Sequence, residues 1–227
     1  NLGVEVTMPV VYPSGQLVNV VVSAERGAYV VHDASAGAMQ LTASGIDLTR
    51  AMAERLERLA QDYGCDYVAG RISTLATVEQ MAVAVALVAN ASRAVGDLAR
   101  AEERARASRF ADAVAAAVTT AAGQRSRLHE RVTGESGKHY AVTAVLLDAA
   151  QSRPVAFVEA VARPKVVPQH VAKLLDLSGE HPQVHREAVY DETAEWDSPN
   201  LVLLRRVSNP VPRGMLEKRT RALLRAA

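Results

Sequence analysis

Glu159 is the residue whose surroundings call for chemistry, because it stands alone in the apolar run from Val155 to Ala162. Side chains alternate along a strand, so Val155, Phe157, Glu159 and Val161 share one face. A carboxylate there needs a cation or a metal beside it, since an unpaired charge is costly to bury. Lys138, His139 and Arg163 are the neighbours the sequence offers. The expected consequence is a perturbed carboxyl, raised by desolvation or lowered by a cation. One acid holds a divalent ion poorly, so a metal-dependent centre would need a second carboxylate, Asp112, Glu102 or Glu103.

The other motifs fit ordinary structure better. Gly134-Glu135-Ser136-Gly137-Lys138 lacks the early glycine of a phosphate loop, since Val132 stands there, and His139 follows the lysine where Ser or Thr is required. It leads into a strand and is a turn; it also fails as a nucleophile elbow. His129, His139, His170, His181 and His185 show no pair spaced for zinc, and the single cysteine, Cys65, excludes an internal disulfide or a one-chain thiolate cluster. Asp191, Glu192, Glu195 and Asp197 surround Trp196 as a solvated acidic loop. Charge is most lopsided at the C-terminus, where Arg205, Arg206, Arg213, Lys218, Arg219, Arg221 and Arg225 face the single acid Glu217. Such a segment can take phosphates without reading sequence.

The elements that position these residues are legible from patterning. β-Branched residues from Val4 to Asp33, punctuated by Pro13-Ser14-Gly15 and Glu25-Arg26-Gly27, predict an antiparallel meander. Asp47 is the expected cap of a helix with the stripe Leu48, Met52, Leu56, Leu59 and Tyr63, followed by a strand at 67–73. Thr77 opens a helix with Val78, Met81, Val85, Val88, Val95 and Ala99 on one side. The charged segment 100–109 marks a boundary between units 1–104 and 105–227. Ser108 caps another helix, and strands are expected at 124–133, 139–148, 154–162, 184–190 and 200–207. Pro168 opens a helix that Gly179 ends, and a basic helix closes the chain after Asn209-Pro210.

Composition narrows the function classes. Aromatics are 4% of the 227 residues, which disfavours base-stacking platforms, and the net charge of +1 leaves nucleic-acid binding to a local patch. The longest apolar run, Ala82 to Asn90, is short of the roughly 20 residues of a membrane span, and a reducing cytoplasm is the expected compartment.

The helix, three-strand, helix, strand order of 108–190 resembles the PD-(D/E)XK, or restriction-endonuclease-like, core. The resemblance implies an Asp on the second core strand and a Glu-x-Lys on the third, binding Mg²⁺. Here Thr143 occupies the place of the Asp, and the third strand reads Glu159-Ala160-Val161. The whole chain is also similar to an uncharacterised bacterial and phage-borne family, through Val30-Val31-His32-Asp33-Ala34 and the Gly134, Ser136, Gly137, Tyr140 segment. The expectation is therefore an α+β protein: an N-terminal antiparallel meander packed with helices, then a mixed-sheet, degenerate nuclease-like module. It would bind nucleic acid or a nucleic-acid-handling protein without cofactor or catalysis, in phage or mobile-element biology, through Arg206, Arg213, Lys218, Arg219 and Arg221. Two alternatives stand beside it. One is a divergent nuclease using Mg²⁺ with Glu159, Lys165 and Asp112. The other is an interaction or inhibitor module that dimerises through Val78, Met81, Val85 and Val88.

Overall fold

Turn chemistry and β-branched runs give the opening meander its form: β1 (Val4–Val11), β2 (Leu17–Glu25) and β3 (Ala28–His32) pair antiparallel in sequence. The computed structural model describes residues 3–25 and 27–227; Arg26, in the second predicted turn, lies outside them. Two units, Asn1–Ala105 and Arg106–Ala227, make up an α+β chain.

In the first unit, α1 (Ala36–Ala43) and α2 (Arg50–Asp62) precede a hairpin of β4 (Asp66–Val68) and β5 (Arg71–Ala76). The sheet runs β1-β2-β3-β5-β4. Its inner face sets Val18, Val20, Val31 and Ile72 against Leu41, Leu56, Val88 and Val95. The sequence expectation differs here in three ways. Thr49, not Asp47, caps α2, its side chain accepting from the Met52 amide, and Leu48 is left outside the helix. The strand expected at 67–73 is a hairpin, because Ala69 and Gly70 take positive φ (51° and 84°) and reverse the chain. Helix α1 was not anticipated.

Helix α3 (Met81–Ala122) runs unbroken for 42 residues, where a break near 100–109 and a cap at Ser108 were expected. The charged segment consists largely of Ala, Glu and Arg, all good helix formers, so its charges solvate a helix rather than end one. It starts at Met81 rather than Thr77. Gly96 is retained for packing: a Cβ there would stand 2.9 Å from the Tyr12 ring. Length and apolar content would let α3 cross a bilayer. Its residues Val88 and Val95 nevertheless belong to the core of the first unit, and Val114 and Val118 to that of the second. Of the predicted dimer stripe, Val85 and Val88 are buried within the first unit, whereas Val78 is exposed and Met81 half-buried.

The second unit is a three-layer sandwich. Its sheet has the order β12-β11-β10-β9-β6, built from β6 (Ser126–Leu128), β9 (Ala144–Leu147), β10 (Pro154–Val161), β11 (His185–Tyr190) and β12 (Asn209–Pro212). Strand β10 pairs antiparallel with β9 and parallel with β11, which itself runs parallel to β12. A separate hairpin, β7 (Arg131–Thr133) and β8 (His139–Ala141), splits each of the two longer strands predicted for this region. One face of the sheet packs Ala144, Leu146, Ala156, Val158 and Val189 on α3 and on α6 (Leu216–Ala226). The other packs Phe157 and Val161 on α4 (Val167–Glu180), with Leu204 of α5 (Ser198–Val207).

Helix α5 replaces the strand expected at 200–207. Asp197 accepts from the Asn200 amide at 3.1 Å and a proline sits in the first turn, so two local start signals outweigh the β-branched content of the segment. Strand β12 escaped prediction because Pro210 and Pro212 argue against a strand; both are tolerated because β12 is an edge.

Candidate functional site

The buried acid of β10 is paired, with partners other than those predicted. Parity turns Glu159 toward α4, where the side chain is 8% exposed. Residues three apart share a helix face, so α4 delivers His170 and Lys173 together: His170 Nδ1 stands 3.1 Å from Oε1 and Lys173 Nζ 2.6 Å from Oε2. The pairing is by charge and proximity, since neither Oε2 nor His170 Nδ1 has a well-aligned hydrogen bond. Lys173 also donates to the Ala141 carbonyl. Burial pushes the Glu159 carboxyl up, but the His170 contact and the Lys173 charge outweigh it, and the net shift is downward.

Two of the predicted neighbours, Lys138 and His139, lie elsewhere. Lys138 rests over the Tyr140 ring at 5.2 Å and His139 Nδ1 meets Thr133 Oγ1 at 2.9 Å, both within the β7–β8 hairpin. Thr143, in the place of the missing Asp, accepts from the Ala160 amide at 3.0 Å and so ties β9 to β10. Asp112 is exposed on α3, which covers the opposite face of the sheet from Glu159. Glu102 pairs with Arg55 in the first unit. Lys165 lies in the 3-10 turn Pro164–Val166 after β10. No group of three His, Cys, Asp or Glu side chains spaced for a metal occurs among the described residues. The donor set fits a divalent cation poorly, because an ammonium already stands against the one carboxylate.

The glycine-rich turn proves to be a clasp on α4. Asp176 accepts from the Ser136 amide at 2.8 Å and from Ser136 Oγ at 2.7 Å, and the Glu135 amide donates to its carbonyl at 3.1 Å. The two Ser136 hydrogen bonds, the side-chain one first, hold the Asp176 carboxyl below its usual range. Gly134 and Gly179 leave room for Asp176 and Glu135, which a Cβ at either glycine would strike. The Asp33 turn is likewise structural: the carboxylate is 1% exposed and accepts from the amides of Ser35, Gly37 and Ile72 and from Ser92 Oγ.

The basic C-terminal segment divides between two clefts. The first, of about 780 Å³, lies at the N-terminal ends of β11 and β12 beside α5 and α6, and Arg186, Arg205, Arg206 and Arg219 line it against one acid, Glu187. That acid is 1% exposed and already committed: Arg219 grips it through two hydrogen bonds of 2.9 and 2.7 Å, and Asn209 Nδ2 donates at 2.6 Å. The same hydrogen bonds raise the Arg219 guanidinium above its usual range. Arg186 donates to the carbonyls of Val207 and Val184, fixing the end of α5 to β11. Arg205 and Arg206, exposed in the last turn of α5, have no hydrogen-bond or ion-pair partner among the described residues.

The second cleft, about 490 Å³, opens beyond the C-terminal ends of β11 and β12 and holds Arg213, Lys218 and Arg221 with Asp191, Glu192 and Glu217. Glu192 accepts from the successive amides of Arg213 and Gly214, both at 2.9 Å, and Glu217 pairs with Arg221 at 2.9 Å. Its three cations thus face three acids, with Arg221 and Glu217 forming an ion pair. Of the five residues predicted to contact phosphate, Arg206 and Arg219 therefore reach the uncompensated cleft, and Arg213, Lys218 and Arg221 reach the compensated one. Arg205 and Arg186 were not singled out, although the Arg205-Arg206 pair at the end of an apolar stretch carried the signal.

The acidic loop is folded on itself. Trp196 Nε1 donates to the Asp191 carbonyl at 2.7 Å, Asp191 accepts from Thr193, and Asp197 caps α5. Comparisons with family models, with curated proteins and with solved structures give no match to this chain.

Proposed function

We propose that the C-terminal unit is a non-catalytic nucleic-acid-binding module whose contact surface is the cleft of Arg186, Arg205, Arg206 and Arg219. The observation that carries this is uncompensated charge. The cleft's single carboxylate is spent on Arg219, while the Arg205 and Arg206 guanidiniums face solvent with no partner among the described residues. Phosphates are the anions such a surface would gather, by releasing condensed counterions.

The mixed sheet with α3 on one side and α4 on the other supports a degenerate nuclease-like ancestry, and phage or mobile-element biology is the setting that ancestry and the sequence resemblance suggest. The absence of catalysis is part of the proposal. Glu159 lies between His170 and Lys173, and its role is to hold α4 on the sheet.

Fluorescence anisotropy with labelled oligonucleotides at low salt tests the proposal. Arg205→Ala/Arg206→Ala should abolish binding, whereas Lys218→Ala/Arg221→Ala should leave most of it. Equal loss in both variants would show that net charge, not the cleft, is responsible. Incubating the protein with nucleic acid and Mg²⁺ or Mn²⁺ tests the nuclease alternative: cleavage that disappears in Glu159→Ala would overturn the non-catalytic reading.

A further inference from the structure

Resting on the nucleic-acid reading, we propose that the ligand of the Arg205–Arg206 cleft is a duplex, held through phosphates alone and without regard to sequence. Unpaired bases need rings to stack on. No Phe, Tyr or Trp lines the cleft. The aromatic residues of this unit are all engaged elsewhere: Phe110 and Phe157 are buried in its cores, Tyr190 and Trp196 pack edge to face with centroids 5.3 Å apart, and Tyr140 sits under Lys138.

Base edges are read by side chains held at fixed positions, bidentate Arg, Asn or Gln above all. Asn209 is committed to Glu187 at 2.6 Å and Ser208 Oγ donates to the Leu204 carbonyl at 2.8 Å, while Gln183, Arg205 and Arg206 are exposed in the lining with no partner among the described residues to fix their pose. What the cleft offers is charge. A duplex presents one phosphate per about 1.7 Å of axis, a denser array than a flexible single strand, so a site that supplies charge without stacking favours it.

The edge of the sheet beside the cleft points the same way. Strand β12 is the outer strand and pairs with β11 in the order Asn209, Pro210, Val211, Pro212. A proline has no N–H, so Pro210 and Pro212 occupy the outward positions of the ladder and the edge offers few donors to an added strand. A protein partner docking by strand addition is disfavoured at this edge.

The test is anisotropy with the full chain, a labelled mixed-sequence DNA duplex, and its separated strand, between about 50 and 200 mM salt. For about two phosphates neutralised, duplex affinity should fall about 12-fold over this range, and Arg206→Ala should reduce the fall to about 3.5-fold. Arg206→Gln guards against an effect on α5, and circular dichroism of both variants should match the parent. A duplex of unrelated sequence should bind within about twofold. If the separated strand binds as tightly as the duplex or tighter, the duplex inference fails while the nucleic-acid reading stands. If neither ligand binds at the lowest salt, the nucleic-acid reading itself fails.

Discussion

Replacing Glu159 by Gln keeps the shape of the side chain and removes the one charge that faces both His170 and Lys173. The carboxylate is 8% exposed and Lys173 13%, so the variant leaves an ammonium with only the Ala141 carbonyl in a site that water barely reaches. Breaking a buried pair by deleting one partner costs about 3–5 kcal/mol, a large part of the roughly 5–15 kcal/mol that holds a domain folded. Trp196, the only tryptophan, packs in the cluster of Val161, Leu174 and Leu204, so its fluorescence reports unfolding of this unit. Urea unfolding at neutral pH should show a loss of about 3 kcal/mol or more for Glu159→Gln. In Glu159→Gln/Lys173→Met the loss should be smaller than the sum of the two single losses by about 1–3 kcal/mol. A Glu159→Gln loss below about 1 kcal/mol, or additive single losses, would refute the idea that this pair fastens α4 to β10.

Acid should act through the same group. The Glu159 carboxyl is held below its ordinary 4.5, so its stabilisation is complete above that pH and drains away as pH falls through the lowered value. The stability gap between wild type and Glu159→Gln should therefore narrow below about pH 4.5, as read by Trp196 fluorescence. Asp176→Ala removes the acceptor of Ser136, so amides of the β7–β8 hairpin should exchange faster in hydrogen–deuterium exchange while β10 and β11 stay protected. In the first unit, Gly96→Ala drives a Cβ to 2.9 Å from Tyr12 and should lower stability by about 1–3 kcal/mol in thermal unfolding.

Patterning carried the fold class because it depends on local rules. The meander, the α4 start near Pro168 and the strand bearing Glu159 follow from turn residues, proline and alternation. The failures have two causes: local signals weighed wrongly, as at the start of α5 and along α3, and sheet position that no local signal carries, as at β12. The charged stretch of α3 looked like a helix break because solvation and interruption read alike in sequence, while the two units divide there, between Ala105 and Arg106. Prolines hid β12, because only the sheet order reveals that it is an edge.

The site was half legible for the same reason. Parity placed Glu159 on the correct face, yet its partners come from a helix at a separation that no strand rule addresses. His170 and Lys173, three apart beside buried Leu174, were the available sign. The basic tail was visible as composition, but helical rotation and the Glu187 and Glu217 contacts decide which acids its arginines meet.

The most direct measurement is a ¹⁵N-resolved NMR titration of the full chain with duplex DNA at low salt. Binding at the proposed cleft predicts shifts concentrated at His185, Arg186, the Arg205–Asn209 segment and Arg219, with Asp191–Thr193, Lys218 and Arg221 little changed. Shifts centred on the second cleft, or none at all at low salt, would contradict the account.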